Sequence, residues 1–148
     1  MSKTMIIMIG LQGSGKSTFY EKYISKDFVR INLDTLKTRY QEKILFDACL
    51  KNGDSFVIDN TNPTRADRER YISAAKDKGY HIVAYFMESK IKDCIYRNSL
   101  REGKAKVPDK AIAATSNKLE VPSYDEGFDE LYFVKNDGVN MTIEPWRR

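Results

Sequence analysis

The chain has 148 residues, 41% of them hydrophobic and 31% charged, with a formal net charge of +4. That is one domain's worth of residues in an ordinary globular composition, which argues against disorder, internal repeats and low-complexity tracts. A single histidine excludes a histidine-rich metal site, and Cys49 and Cys94 are too far apart for redox or zinc spacing.

The mild basic excess favours acidic partners such as phosphates or nucleic acid. The apolar run Met5–Gly10 is too short for a signal peptide or a membrane span, and no other run approaches about twenty residues. The expectation is a cytoplasmic protein without membrane contact.

The elements in chain order begin with Met5–Ile9, a continuous apolar run of the kind that forms a central parallel strand buried on both faces. A glycine-rich loop follows, then a helix near Ser17–Ser25 and a second strand at Phe28–Ile31. Asp34 or Thr35 is a candidate cap for the next helix. Leu36, Tyr40, Ile44, Ala48 and Leu50 carry it at near-helical spacing to the stop at Asn52-Gly53.

Ser55–Asp59 is a third strand. Asn62-Pro63-Thr64 opens a helix that ends at Lys78-Gly79. His81–Met87 is a fourth strand, with a helix from about Lys90 to Glu102. A polar break with glycine spans Gly103–Pro108, a short helix runs from Asp109 to about Leu119, and a loop covers Val121–Gly127. Leu131–Val134 is a further strand, and Met141–Ile143 pairs near it after the turn at Asn136-Asp-Gly138. Strands alternating with helices define the α/β class, with a central parallel sheet and helices on both faces in one domain over 1–148.

Gly10-Leu-Gln-Gly-Ser-Gly15-Lys16-Ser17 fits G-x-x-x-x-G-K-[ST] between a strand and a helix, which makes the fold a P-loop NTPase/kinase fold. Glycines let successive N–H groups point into one concavity, and the following helix aims its N-terminus at the same place. Gly10, Gly13, Ser14, Gly15, Lys16, Ser17 and Thr18 are the expected ATP contacts, together with Arg97 and Arg101. Lys16 places its charge on the β- and γ-phosphates, and Ser17 offers a hydroxyl to Mg²⁺. Asp59, ending the third strand at the carboxyl edge of the sheet, is the second candidate for orienting Mg²⁺.

A GTPase would carry an Asn-Lys-x-Asp signature, which is absent, and a motor or AAA-type ATPase is normally longer. A kinase needs a base for the acceptor hydroxyl and a cation over the transferred group. Asp34, after the second strand, is the candidate base. Arg97 and Arg101 share one helix face four residues apart, and Arg101 leads into a basic segment, about 102–108, that reads as a lid.

At these residues the chain resembles the kinase module of polynucleotide 5′-hydroxyl kinases, over about Met5 to Phe133. The matching stretches are Gly10–Thr18, Asn32-Leu33-Asp34-Thr35-Leu36, Ile58-Asp-Asn-Thr-Asn-Pro63, and Arg97-Asn-Ser-Leu-Arg101 followed by Val107-Pro108. Val121-Pro-Ser-Tyr-Asp-Glu-Gly-Phe128 adds a fifth.

The resemblance implies Asp34 as general base, Arg101 as lid arginine, and Asp59, Thr61 and Asn62 near the phosphates and acceptor. It implies nucleic-acid 5′-OH ends as the substrate. Lys37, Arg39 and Arg65 are expected on the acceptor side, with Arg68, Lys104 and Lys106 adding positive charge. Two departures stand out: Leu33 replaces the family's arginine before the base, and Lys37 replaces an arginine three residues after it. Lysine lacks the bidentate fork, which points to a weaker polynucleotide grip or a smaller acceptor. No Asp-x-Asp-Gly-Thr phosphatase motif is present, so a separate phosphatase or ligase partner is expected. The alternatives are a small-molecule kinase of the same fold, acting on a nucleoside, sugar or antibiotic, and an NTP-binding regulatory subunit with little turnover.

Overall fold

The computed structural model describes residues 3–103 and 106–146. Lys104, expected in the lid, lies outside the described residues. Strand β1 (Thr4–Ile9) leads into the loop before helix α1 (Lys16–Tyr23). Then come β2 (Val29–Ile31), α2 (Leu33–Leu36), α3 (Arg39–Asn52), β3 (Phe56–Ile58), α4 (Arg65–Asp77) and β4 (His81–Met87). The chain continues through α5 (Ile91–Ser99), α6 (Asp109–Lys118), a 3-10 turn at Tyr124–Glu126, β5 (Glu130–Asn136) and β6 (Met141–Pro145).

The strands form one sheet in the order β2-β3-β1-β4-β5-β6. Each pairing from β2 through β5 is parallel, while β6 returns antiparallel to β5, with Val134 opposite Ile143.

Period-two alternation on β1 builds the two faces of the core. Met5, Ile7 and Ile9 pack with Phe46 of α3 and Tyr71, Ile72 and Ala75 of α4. Ile6 and Met8 pack with Phe19 and Tyr20 of α1. Met5 through Ile9 are each at most 7% exposed, which is why the run carries no polar alternation. A third cluster, Leu11, Cys94 and Ile112, sits where the phosphate loop meets α5 and α6. Both cysteines are buried and unpaired.

The expected single helix from Asp34 or Thr35 to Asn52 is two helices. Asn32, not Asp34 or Thr35, caps α2, its Oδ1 accepting from Thr35 N, and Thr38 caps α3 through Gln41 N. Between them Lys37 has φ +74°, a conformation few non-glycine residues adopt and one that ends α2. The apolar spacing that suggested continuity follows the outward face of α3: Tyr40 and Ile44 are 71% and 47% exposed. The buried face is Glu42, Phe46, Cys49 and Leu50.

Arg68 was expected among the charges around the crevice, and it is a core residue. It is fully buried, grips Glu126 with Nε and Nη2 at 2.8 and 3.0 Å, and donates to the carbonyls of Asn62, Pro63 and Glu120. Removing one member of a buried ion pair leaves the other charge unpaired. Arg68→Ala is therefore expected to lower unfolding free energy by about 3–5 kcal/mol in urea denaturation. A loss typical of an exposed residue would show that Arg68 does not staple α4 to the 3-10 turn.

Candidate active site

The carboxyl ends of β1, β2 and β3 open onto one crevice of about 500 Å³. It is lined by Gln12, Lys16, Ser17 and Thr18 of the phosphate loop and α1, by Asn32, Leu33, Asp34 and Arg39, by Asp59, Asn60 and Thr61, and by Arg101 and Val107. Parallel strands put their carboxyl ends on one side of the sheet, so residues distant in sequence converge there.

The phosphate loop is shaped by glycines that tolerate no side chain. Gly13 and Gly15 have φ +81° and +102°, and a Cβ on Gly13 would stand 2.4 Å from the Cys94 carbonyl oxygen. The loop is also braced from behind. Arg97 donates to the carbonyls of Gly13 and Asn136, and Asn136 Nδ2 donates to Ser14 O at 3.1 Å. Arg97, expected as an ATP contact, thus spends its two terminal nitrogens on backbone oxygens behind the loop. Gly10 hydrogen-bonds through its N–H to Thr61 O.

Lys16 Nζ donates to the carbonyls of Gly10 and Leu11 at 3.0 and 2.8 Å. Burial pulls its pKa down to about 8, opposed by the nearby carboxylates of Asp59 and Asp34. The ammonium is therefore held inside the loop rather than in bulk water, where an anion can claim it. Ser14 Oγ is buried without a hydrogen-bond partner. Glycine-shaped backbone, an orphaned hydroxyl and a desolvated ammonium together fit a triphosphate.

Ser17 and Asp59 converge on one cation, the guanidinium of Arg30. Its Nη2 lies 3.3 Å from Ser17 Oγ, and its Nε and Nη2 lie 2.7 and 2.6 Å from Asp59 Oδ2. A hydroxyl and a carboxylate that already surround one positive charge have the oxygen chemistry that suits Mg²⁺.

On the acceptor side, Asp34 is exposed at the start of α2, whose position is held by Asn60: its Oδ1 accepts from Leu33 N at 2.9 Å. Asn60 is in turn held by the buried carboxylate of Glu42, to which it donates at 2.7 Å. Glu42 also accepts from Tyr71 OH and Arg39 Nη1 at 2.8 and 2.9 Å. A Glu42–Asn60–Leu33 strut thus ties the α2 start to the core and aims Arg39 at the crevice.

The remaining expected residues are placed otherwise. Asn62 is buried and donates to Met8 O at 2.7 Å, which makes it a link between β1 and the β3 exit. Arg65 pairs on the surface with Asp125 at 2.9 Å, and neither Arg65 nor Lys37 lines the crevice. The segment after Arg101 is fastened by Asn98, whose side chain donates to Val107 O at 2.6 Å and accepts from Val107 N at 3.0 Å. Arg30, Asn60 and Glu42 were not singled out from the sequence. Asn60 lies inside the Ile58–Pro63 stretch that carried the resemblance, and Arg30 is one residue before the end of a strand known to lead into the site. Glu42 sits on an apolar-looking helix and gives no signal.

A glycine-shaped loop between a buried strand and a helix, with its lysine, hydroxyl and strand-end carboxylate in one crevice, defines a P-loop nucleotide-binding domain. Residues 5–122 match the family model described as AAA domain, and the chain belongs to that family. Chain length, which argues against a motor or AAA-type ATPase, does not separate this chain from a family that carries the AAA description.

Among relatives, a protein of Acanthamoeba polyphaga mimivirus with the provisional name bifunctional polynucleotide phosphatase/kinase is 36% identical over 99% of this chain and 37% of its own length. A bifunctional polynucleotide phosphatase/kinase of Schizosaccharomyces pombe is 30% identical, over 86% of this chain and 32% of its own. The chain thus spans about a third of the length of these relatives. An unliganded sugar kinase from Janibacter sp. HTCC2649 shares the fold, with TM-score 0.67, 17% identity and coverage of 90% of this chain and 85% of that one. Among the described residues no helix is long and apolar enough to cross a membrane.

Proposed function

We propose that this domain transfers the γ-phosphate of ATP to the 5′-hydroxyl end of a DNA or RNA strand. The observation that carries the reading is the shared crevice, which Lys16, Ser17, Thr18 and Asp59 line together with Asp34 and Arg39. Asp34 is close enough to Lys16 to raise the lysine's pKa. The resemblance to two proteins named as polynucleotide phosphatase/kinases supports the choice of acceptor.

In this mechanism the backbone N–H groups of the Gly10–Ser17 loop cradle the triphosphate. Asp34 takes the proton of the acceptor hydroxyl and orients its oxygen for in-line attack. Lys16 and Arg101 stabilise the charge spread over the transferred group. Ser17 and Asp59 would hold Mg²⁺, which when bound neutralises the phosphate oxygens. Arg39, supported by Glu42, is the first candidate for a backbone phosphate of the acceptor.

The acceptor is tested by comparing kcat/KM for a short 5′-hydroxyl oligonucleotide and for the matching nucleoside at several salt concentrations. The oligonucleotide is expected to be the better substrate, with an advantage that shrinks as salt rises. Each backbone phosphate contact should contribute roughly −0.7 to the log–log slope, and the nucleoside should show almost none. Equal values with flat salt dependence for both would overturn the polynucleotide reading in favour of a small-molecule kinase. Nucleotide binding without transfer to either would favour a regulatory subunit.

A further inference from the structure

We propose that Arg30 is the internal counter-ion of the metal site: it holds the Ser17 hydroxyl and the Asp59 carboxylate in the metal-free protein and competes with the divalent cation for them. The inference rests on the reading of Ser17 and Asp59 as the residues that hold Mg²⁺.

The Asp59 side chain is 1% exposed. A carboxylate taken out of water that far is costly unless a cation accompanies it. Lys16 is turned to the loop carbonyls of Gly10 and Leu11, and Arg30 is a cation in direct hydrogen-bond contact with the carboxylate. Two guanidinium nitrogens converge on the same oxygen, Oδ2, and one of them also reaches the Ser17 hydroxyl.

A divalent cation held by the same hydroxyl and carboxylate would lie within a few ångströms of the guanidinium. At that range two positive charges repel strongly in a partly desolvated site. The repulsion sets the two cations in competition, so binding of the metal weakens the hold of Arg30 on these groups.

Arg30 is seated to make this exchange. Its Cζ lies 4.6 Å from the centroid of the Tyr20 ring on α1, and its side chain is 29% exposed. The stack is made at the same time as the ion pair, and it supports the guanidinium through a contact that does not depend on Asp59. Because β2 runs on into Asn32 and the α2 helix of Asp34, the exchange also couples arrival of the cation to the strand that presents the proposed base.

The test is Mn²⁺ binding at saturating ADP, with free Mn²⁺ read by electron paramagnetic resonance, on wild type, Arg30→Gln, Arg30→Lys and Ser17→Ala. Thermal unfolding with and without Mg²⁺ accompanies it. Arg30→Gln is expected to bind Mn²⁺ about tenfold more tightly, the equivalent of about 1.4 kcal/mol of relieved competition. Arg30→Lys, which keeps the charge without the fork, should fall between. Arg30→Gln should also melt lower than wild type without Mg²⁺ and recover most of that gap when Mg²⁺ is added. Unchanged or weaker Mn²⁺ affinity in Arg30→Gln would overturn the proposal. Should that variant fail to fold at any Mg²⁺ concentration, the Arg30→Lys affinity decides by the same criterion. Ser17→Ala separates the two failures: if it binds Mn²⁺ as wild type does, the metal reading itself falls, whatever Arg30 does.

Discussion

Lys16→Ala is expected to lower phosphoryl transfer by about 10³-fold, the upper range for loss of one positioned charge-stabilising group, while the protein stays folded. Among the described residues Lys16 Nζ bonds to the loop's own carbonyls, those of Gly10 and Leu11, and to no side chain of the core. Circular dichroism and a γ-phosphate transfer assay check both halves, and near-normal turnover by the folded variant would remove the basis for a kinase.

The same residue sets a pH dependence. The buried ammonium loses its proton near pH 8, against 10.5 in the unfolded chain. Folding is therefore relieved of a charged, desolvated group as pH rises through that window, and the Lys16 contribution to stability improves there. Nucleotide binding moves the opposite way, because the phosphates need the proton that is being lost. Affinity for ATP should weaken above about pH 8, and this dependence should vanish in Lys16→Ala.

Asp34→Asn is expected to keep nucleotide affinity and reduce kcat by about 10²–10⁴-fold, the usual range for a positioned acid–base group. The substitution preserves shape and removes the proton acceptor. Asp34 is exposed, and Asn32 rather than Asp34 caps α2, so the change should cost little stability. That separates two roles the sequence left open, base and cap. A variant that loses stability without losing turnover would return Asp34 to a structural role. One that loses ATP affinity with kcat intact would assign it to the nucleotide side.

The fold was legible because its strongest signals are physical necessities. A strand buried on both faces must read as an unbroken apolar run, as Met5–Ile9 does, and a phosphate cradle must have glycines where φ is positive, as Gly13 and Gly15 do. The break between α2 and α3 was not legible. Tyr40 and Ile44 have helical spacing but lie on the outward face, and nothing in a lysine at position 37 announces φ +74°.

Charge was the least readable property. Arg65, Arg68 and Arg39 look alike in sequence, yet one pairs on the surface, one is wholly buried and one lines the crevice. Their fates are decided by Asp125, Glu126 and Glu42, partners that only the tertiary fold brings within reach. Asn62 shows the same limit, since its motif pointed to the acceptor while its amide is spent on Met8 O.

The brace between Asn136 and the phosphate loop joins residues 122 positions apart. On a ribosome, the loop and its lysine emerge long before the strand that steadies them, because chains are made from the amino end at about 5–20 residues per second. A nascent chain ending before β5 carries the whole glycine motif yet lacks the buttress behind Ser14. Nucleotide capture should accordingly begin only once β5 has docked, well after the phosphate loop itself has been made.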